Sequence, residues 1–180
     1  MRSIVDIVKF INSRLCNIIP GIKLYNIAQI VSREDHTIPA DGDNSTAFDD
    51  THPAQIYHKI TGMTMTQQTT GYGDSNNLLY TYQMSMIVFF NKQSIRPEDF
   101  PIIVQANIPQ RFNTDNTQSV NIKFLSAILN DQQVFAQEYR NATAYRLGVN
   151  HRLFQINYTL EVVYKPGCFE KCPEETNCKN

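Results

Sequence analysis

Cys168, Cys172 and Cys178 stand close together near the end of a 180-residue chain, and Cys16 stands far from them near its start. Thiolates bind zinc in tetrahedral sets of four, so the three tail cysteines, joined by a histidine or by Cys16, would make one such set. The spacing argues against it. Structural sites pair ligands as C-x₂₋₄-C followed by a second close pair, and here the second pair is missing and the tail holds no histidine. A disulfide in an oxidising setting is the alternative, and reduced, exposed thiols are the default for a protein made in the cytosol. No metal and no other cofactor is expected.

His36, His52, His58 and His151 are scattered over expected loops and strand ends, with Asp35, Asp49 and Asp50 near the first two. A hydrolase could be assembled from such pieces, but the chain has no Gly-x-Ser-x-Gly elbow, no H-E-x-x-H helix and no Cys–His pair in a recognisable local setting. His58 falls on the apolar side of a strand, where a half-buried structural role is expected. Gly71-Tyr72-Gly73 opens like a dinucleotide fingerprint but lacks the third glycine and the following helix, so it reads as turn chemistry. Tyr and Phe can stack on nucleic-acid bases, yet their alternation here puts most of them in a core, and basic residues do not interleave with them. No catalytic, cofactor-binding or metal-binding residue is named, and an enzyme is not expected.

The elements that would position any site are better marked. In residues 152–164, Phe154, Ile156, Tyr158, Leu160, Val162 and Tyr164 recur at every second position, which is a strand with one face in a core. Leu153, Gln155, Asn157, Thr159, Glu161 and Val163 between them are mostly polar, so the opposite face is expected to meet water or another protein, as in an antiparallel sheet. Residues 78–90 make the other long strand and its natural neighbour, with Tyr80, Tyr82, Met84, Met86, Val88 and Phe90 on one side.

Ser3 and Asp6 read as a capping pair for an amphipathic helix that carries Ile4, Ile7, Val8, Ile11 and Leu15 and ends before Pro20-Gly21. Ile22, Leu24, Ala28 and Ile30 make a first strand. Residues 32–53 read as a long polar loop or arm, and residues 55–60 as a short strand with Ile56, His58 and Ile60 on one face. Residues 61–77, rich in Thr, Gln and Gly, read as a second long excursion, a β-hairpin projecting from the body. Loops of this length are uncommon in compact domains unless functional or disordered. A helix is expected with Pro97, Glu98 and Asp99 at its start and Pro109 as its limit. Val120, Ile122, Phe124 and Ile128 alternate through a further strand, and Asp131 caps a short helix carrying Val134, Phe135 and Tyr139. The pattern is α+β: helices against a mainly antiparallel sheet, one domain over residues 1–165, then a Cys-bearing tail, 166–180.

Lys and Arg number 16 against 17 Asp and Glu, a net charge of -1 at pH 7, and charged residues are 18 % of the chain. An ordinary domain has about 25 %, so uncharged polar groups, Asn and Gln above all, must cover this surface. A near-neutral balance gives no general attraction to nucleic-acid phosphate or anionic lipid. No apolar run approaches the roughly 20 residues of a spanning helix. The N-terminus lacks the basic start, apolar middle and small-residue cleavage site of a signal peptide. A protein that stays in the compartment that makes it is expected, with the sequons at Asn44, Asn141 and Asn157 unglycosylated.

The order of helix, strand, polar arm, short strand with a projecting excursion, long strand, helix, strand, short helix and long strand resembles the tail-terminator, neck and tail-completion proteins of tailed bacteriophages. Ile38-Pro39-Ala40 before an acidic stretch, then Pro53-Ala54-Gln55-Ile56-Tyr57-His58, is similar to the loop-then-strand passage of those proteins. The richness in Asn, Gln, Ile and Tyr resembles virion proteins of crAss-like phages. The likeness spans residues 3–165 and lies in order and pattern, so it transfers no role to an individual residue. It implies a non-catalytic virion protein, assembled in the host cytoplasm, that forms a homo-oligomeric ring in the neck or tail. Its implied partners are copies of itself and the portal, adaptor or other neck and tail proteins, with DNA only passing through the lumen and no membrane. The tail with Cys168, Cys172 and Cys178 departs from that pattern. From the residues alone, a small cytosolic ligand-binding domain and an enzyme with an unrecognised site stay open.

Overall fold

The Ser3 hydroxyl accepts from the Asp6 backbone N–H at 3.2 Å, and the Asp6 carboxylate accepts from the Ser3 N–H at 3.0 Å, so the first helix starts on a reciprocal cap. That helix, α1 (Ile4–Ile18), buries Ile7, Val8, Ile11 and Leu15 along one stripe. The chain leaves it through Gly21, whose φ of +78° is a conformation that L side chains rarely adopt. The computed structural model describes residues 3–32, 37–41, 44–45, 51–69, 76–91, 96, 99–115, 118–139 and 151–164. Down the chain follow β1 (Lys23–Ile27), β2 (Gln29–Ser32), β3 (Thr37–Asp41), β4 (Asn44–Ser45), β5 (Ala54–Thr69), β6 (Asn76–Asn91), α2 (Phe100–Asn107), β7 (Arg111–Asp115), β8 (Gln118–Ile128), α3 (Asp131–Glu138) and β9 (His151–Tyr164).

The architecture is α+β. Six strands form one sheet in the order β1-β5-β6-β9-β8-β7, antiparallel throughout except for the parallel β1–β5 pair. The two long strands foreseen from alternation, β6 and β9, are neighbours at its centre, in register from Leu78↔Tyr164 to Asn91↔His151. One face carries Ile56, Met84, Met86, Val88, Phe90, Phe154, Ile156, Tyr158, Leu160 and Val162 beneath α1 and α2. The Phe154 ring meets Phe90 and Phe100 edge-on at 5.4 and 5.2 Å. Each such ring, fully buried, contributes roughly 1.5–3 kcal/mol.

Among the described residues, the other face is covered at one end only. Tyr57, Ile87, Phe89 and Leu153 are buried there against Val134 and Tyr139, which belong to α3 and its C-cap. Farther along the same face the side chains turn polar. Ser85 and Gln155 donate to the Asn157 Oδ1 at 2.9 and 2.6 Å, and the Asn157 amide donates to Ser126 at 3.1 Å. The expected polar back of residues 152–164 therefore holds from Gln155 to Glu161, while Leu153 is core, because α3 packs across that end.

Several boundaries differ from the sequence expectations, each for a local reason. Residues 32–53 contain β3 and β4, which join β2 in a three-stranded antiparallel sheet. The first strand breaks at Ala28, whose N–H bonds to the His58 carbonyl at 2.8 Å and steers the chain into β2. The short strand at 55–60 does not stop. It continues as β5 to Thr69, so the β-hairpin expected at 61–77 is formed with β6, but as ladder within the sheet and not as an arm projecting from it. α2 begins at Phe100, with Asp99 as its N-cap and Pro101 in its first turn, while Pro97 and Glu98 of the expected start lie outside the described residues. Asn130, not Asp131, caps α3 by accepting from Gln133 N at 3.1 Å. β7 was not foreseen. A bulge between Phe124 and Ser126 flips the side-chain alternation, so Ile128 packs on the α3 face and not with Val120 and Ile122.

Candidate functional site

Among the described residues, His58 sits at the centre of a buried hydrogen-bond network. It has no exposed surface, although a half-buried position was expected, and it lies between α1 and β9. Nε2 is 2.9 Å from Asn12 Oδ1 and Nδ1 is 2.7 Å from the Tyr158 hydroxyl. The Asn12 amide donates to the Tyr25 carbonyl at 2.9 Å, which leaves Oδ1 as the acceptor. His58 therefore carries its proton on Nε2, and Tyr158 donates to Nδ1. Burial lowers the His58 pKa to about 3 and raises that of Tyr158. A sealed neutral imidazole with both nitrogens satisfied is a structural pin. The signal for it lay in Asn12, a polar residue on the apolar stripe of α1 between Ile11 and Leu15.

His52 Nδ1 donates to the Gly21 carbonyl at 3.1 Å, and His151 lies against the Phe89 ring at 4.8 Å. His36, Asp35, Asp49, Asp50, Cys168, Cys172, Cys178 and the Gly71-Tyr72-Gly73 turn lie outside the described residues. Cys16 is exposed. Among the described residues no three His, Cys, Asp or Glu side chains gather as a metal site, and no helix is long and apolar enough to cross a membrane.

A second polar cluster escaped the sequence reading. Glu138, 2 % exposed at the end of α3, accepts from Lys59 Nζ at 2.5 Å and from the Tyr57 hydroxyl at 3.1 Å. Burial, then the neighbouring Tyr139 and Glu138, push the Tyr57 pKa well up. The pair clamps α3 onto β5. No spacing in the sequence links residues so far apart.

The edges of the six-stranded sheet are the most unusual surface. β1 covers β5 only from Gln55 to His58, and β7 covers β8 only from Gln118 to Asn121, with one further bond from Ile122 N to the Gln110 carbonyl. Among the described residues, β5 from Lys59 to Thr69 and β8 from Lys123 to Ile128 have no strand on their outer sides. These open stretches lie at diagonally opposite corners. Met63 is level with Ile122 through Tyr82 and Leu160, and Lys59 is level with Ser126 through Ser85 and Asn157.

Open edges normally carry charges, prolines or a covering element. Here residues 60–67 of β5 and residues 124–129 at the end of β8 contain no charge and no proline. Ile60, Met63 and Met65 are 40, 58 and 63 % exposed, and Leu125 and Leu129 are 55 and 51 % exposed. A bulge between Ile60 and Gly62 puts Met63 and Met65 opposite Tyr82 and Tyr80, so a Met- and Tyr-lined strip runs along this part of the sheet. Tyr80 also meets Tyr164 edge-on at 5.3 Å. Exposed apolar strips of this kind mark interaction surfaces, and methionine suits them because it adapts its shape. Where β7 releases β8, an open notch of about 300 Å³ is lined by Gln105, Gln110, Asn121, Ile122, Lys123 and Phe124.

No protein-family model matches this chain, and no curated protein matches it. The site therefore rests on its own geometry.

Proposed function

We propose that this chain is a structural, non-catalytic subunit that assembles with copies of itself into a ring, in the neck or tail of a tailed-phage virion. The observation that carries the reading is the pair of open sheet edges at opposite corners of one sheet, each free of charge beyond its first residue, Lys59 or Lys123. A single edge would favour a two-fold dimer, whereas two different surfaces on one subunit suit head-to-tail contacts, which close into rings. The low charge supports the same reading, because extended interfaces disfavour Lys, Glu and Asp at their centres. The element order adds the likeness to head–tail joining proteins. In that role the ring stacks on portal, adaptor or other neck and tail proteins, DNA passes through its lumen, and no membrane is involved. The virion is its final location.

Native mass spectrometry of the purified chain over a range of concentrations, with a proteomic search for the chain in purified phage particles, tests this. A closed oligomer and its presence in particles are expected. A chain that stays monomeric at every concentration and is missing from particles overturns the reading and points to a small binding domain.

A further inference from the structure

We propose that the ring contact is a β-ladder in which the open edge of β5, residues 59–69, pairs antiparallel with the open edge of β8, residues 123–128, of the next copy; this deepens the ring reading and rests on it. Strand direction carries the argument. β5, β6, β9 and β8 alternate in direction across the sheet, so β5 and β8 run opposite ways within one subunit. A neighbour held in the same orientation thus presents β8 antiparallel to β5, and the alternation continues unbroken through the seam. The faces match as well. Orientation without a flip keeps the helix-covered faces on one side, where Ile60, Met63 and Met65 of β5 meet Phe124 and Ala127 of β8, whose register partners Tyr158 and Ile156 mark that face.

The alternative of β5 pairing with β5, or β8 with β8, about a two-fold axis is also antiparallel, but each such contact leaves the other edge and its exposed leucines or methionines in water. One β5–β8 contact, repeated, covers both. Because the open part of β5 lies at one end of the sheet and that of β8 at the other, successive sheets are staggered along the strands. Closing a staggered ring tilts its strands against the axis, as in a barrel.

Complementation tests the pairing. Met63→Lys with Met65→Lys charges the β5 edge, and Leu125→Lys with Ala127→Lys charges the β8 edge; all four positions are exposed, and edge lysines block strand addition. Each double variant should melt like the wild type and run at the mass of one chain. An equimolar mixture should give a two-chain species and nothing larger, since each variant brings one intact edge. The pairing is overturned, with the ring left standing, if the wild type assembles and either variant keeps the full mass, if one variant forms a dimer with itself, or if the mixture stays monomeric. A wild type that never assembles overturns ring and pairing together. Should a double variant lose its folded signal, Met65→Lys and Ala127→Lys alone are read in the same way.

Discussion

His58 Nε2 donates to Asn12 Oδ1 at 2.9 Å, inside the layer between α1 and the sheet, with no surface left on the imidazole. The bond joins the first helix to the strand that later forms an open edge. Both nitrogens are committed, so a second proton has nowhere to go without breaking the bond from Tyr158.

Acid should therefore act through this residue. The folded pKa is about 3 and the unfolded value about 6.5, so between these pH values the unfolded chain binds more protons and stability falls as pH falls. The slope approaches about 1.4 kcal/mol per pH unit. Urea melts from neutral pH to about pH 4 should show that loss. His58→Gln should be less stable at neutral pH and nearly flat across the same window; an unchanged slope would assign the acid sensitivity to other groups.

Alkali acts in the opposite direction on Tyr57 and Tyr158, both raised above the usual tyrosine value by burial. Unfolded tyrosines lose their protons near pH 10 while these keep theirs in the fold, so stability should fall as pH rises above about 10. Tyr158→Phe should soften that fall. At neutral pH it should cost about 1–3 kcal/mol, because His58 Nδ1 is left without its donor. Thermal melts at neutral and alkaline pH check both parts.

The clamp from α3 to β5 predicts an asymmetry. Lys59→Met leaves the Glu138 carboxylate buried with only the Tyr57 hydroxyl for a partner, and should destabilise by roughly 3 kcal/mol. Tyr57→Phe, with Lys59 still in place, should cost about 1 kcal/mol. Lys59→Met combined with Glu138→Gln should recover part of the loss. Equal melts for Lys59→Met and wild type would mean that water reaches the carboxylate.

On β9, Ile156→Asp and Leu160→Asp should unfold the protein, since both side chains lie in the core under α1 and α2, and a buried unpaired carboxylate costs several kcal/mol. Asn157→Asp keeps an oxygen to accept from Ser85 and Gln155, and Thr159→Asp falls on the polar stretch; both should melt within about 1 kcal/mol of wild type. Leu153→Asp should join the unfolded set despite sharing a face with Asn157, because α3 covers it. Circular dichroism on the five variants separates the groups, and a folded Leu153→Asp would remove α3 from that face.

The sequence by itself determined the α+β class, the capped first helix and the two central strands, because a period of 3.6 or 2 and a local cap are written in neighbouring residues. It also placed His58 on the apolar side. What only the tertiary structure decided was how far each strand runs and which way its residues face beyond a bulge. Thr61 and Leu125 each insert one residue into a ladder, and one inserted residue flips every later side chain to the other face. That is why Ile128 left its expected core and why Met63 and Met65 joined Tyr80 and Tyr82. The Thr- and Gln-rich stretch read as an excursion because its composition offers little to bury, yet backbone hydrogen bonds to β6 hold it in the sheet whatever its side chains. The open edges, the Glu138 clamp and the Asn12–His58–Tyr158 network all join residues distant in the chain. Their partners exist only after folding, since no local spacing encodes which strand ends uncovered.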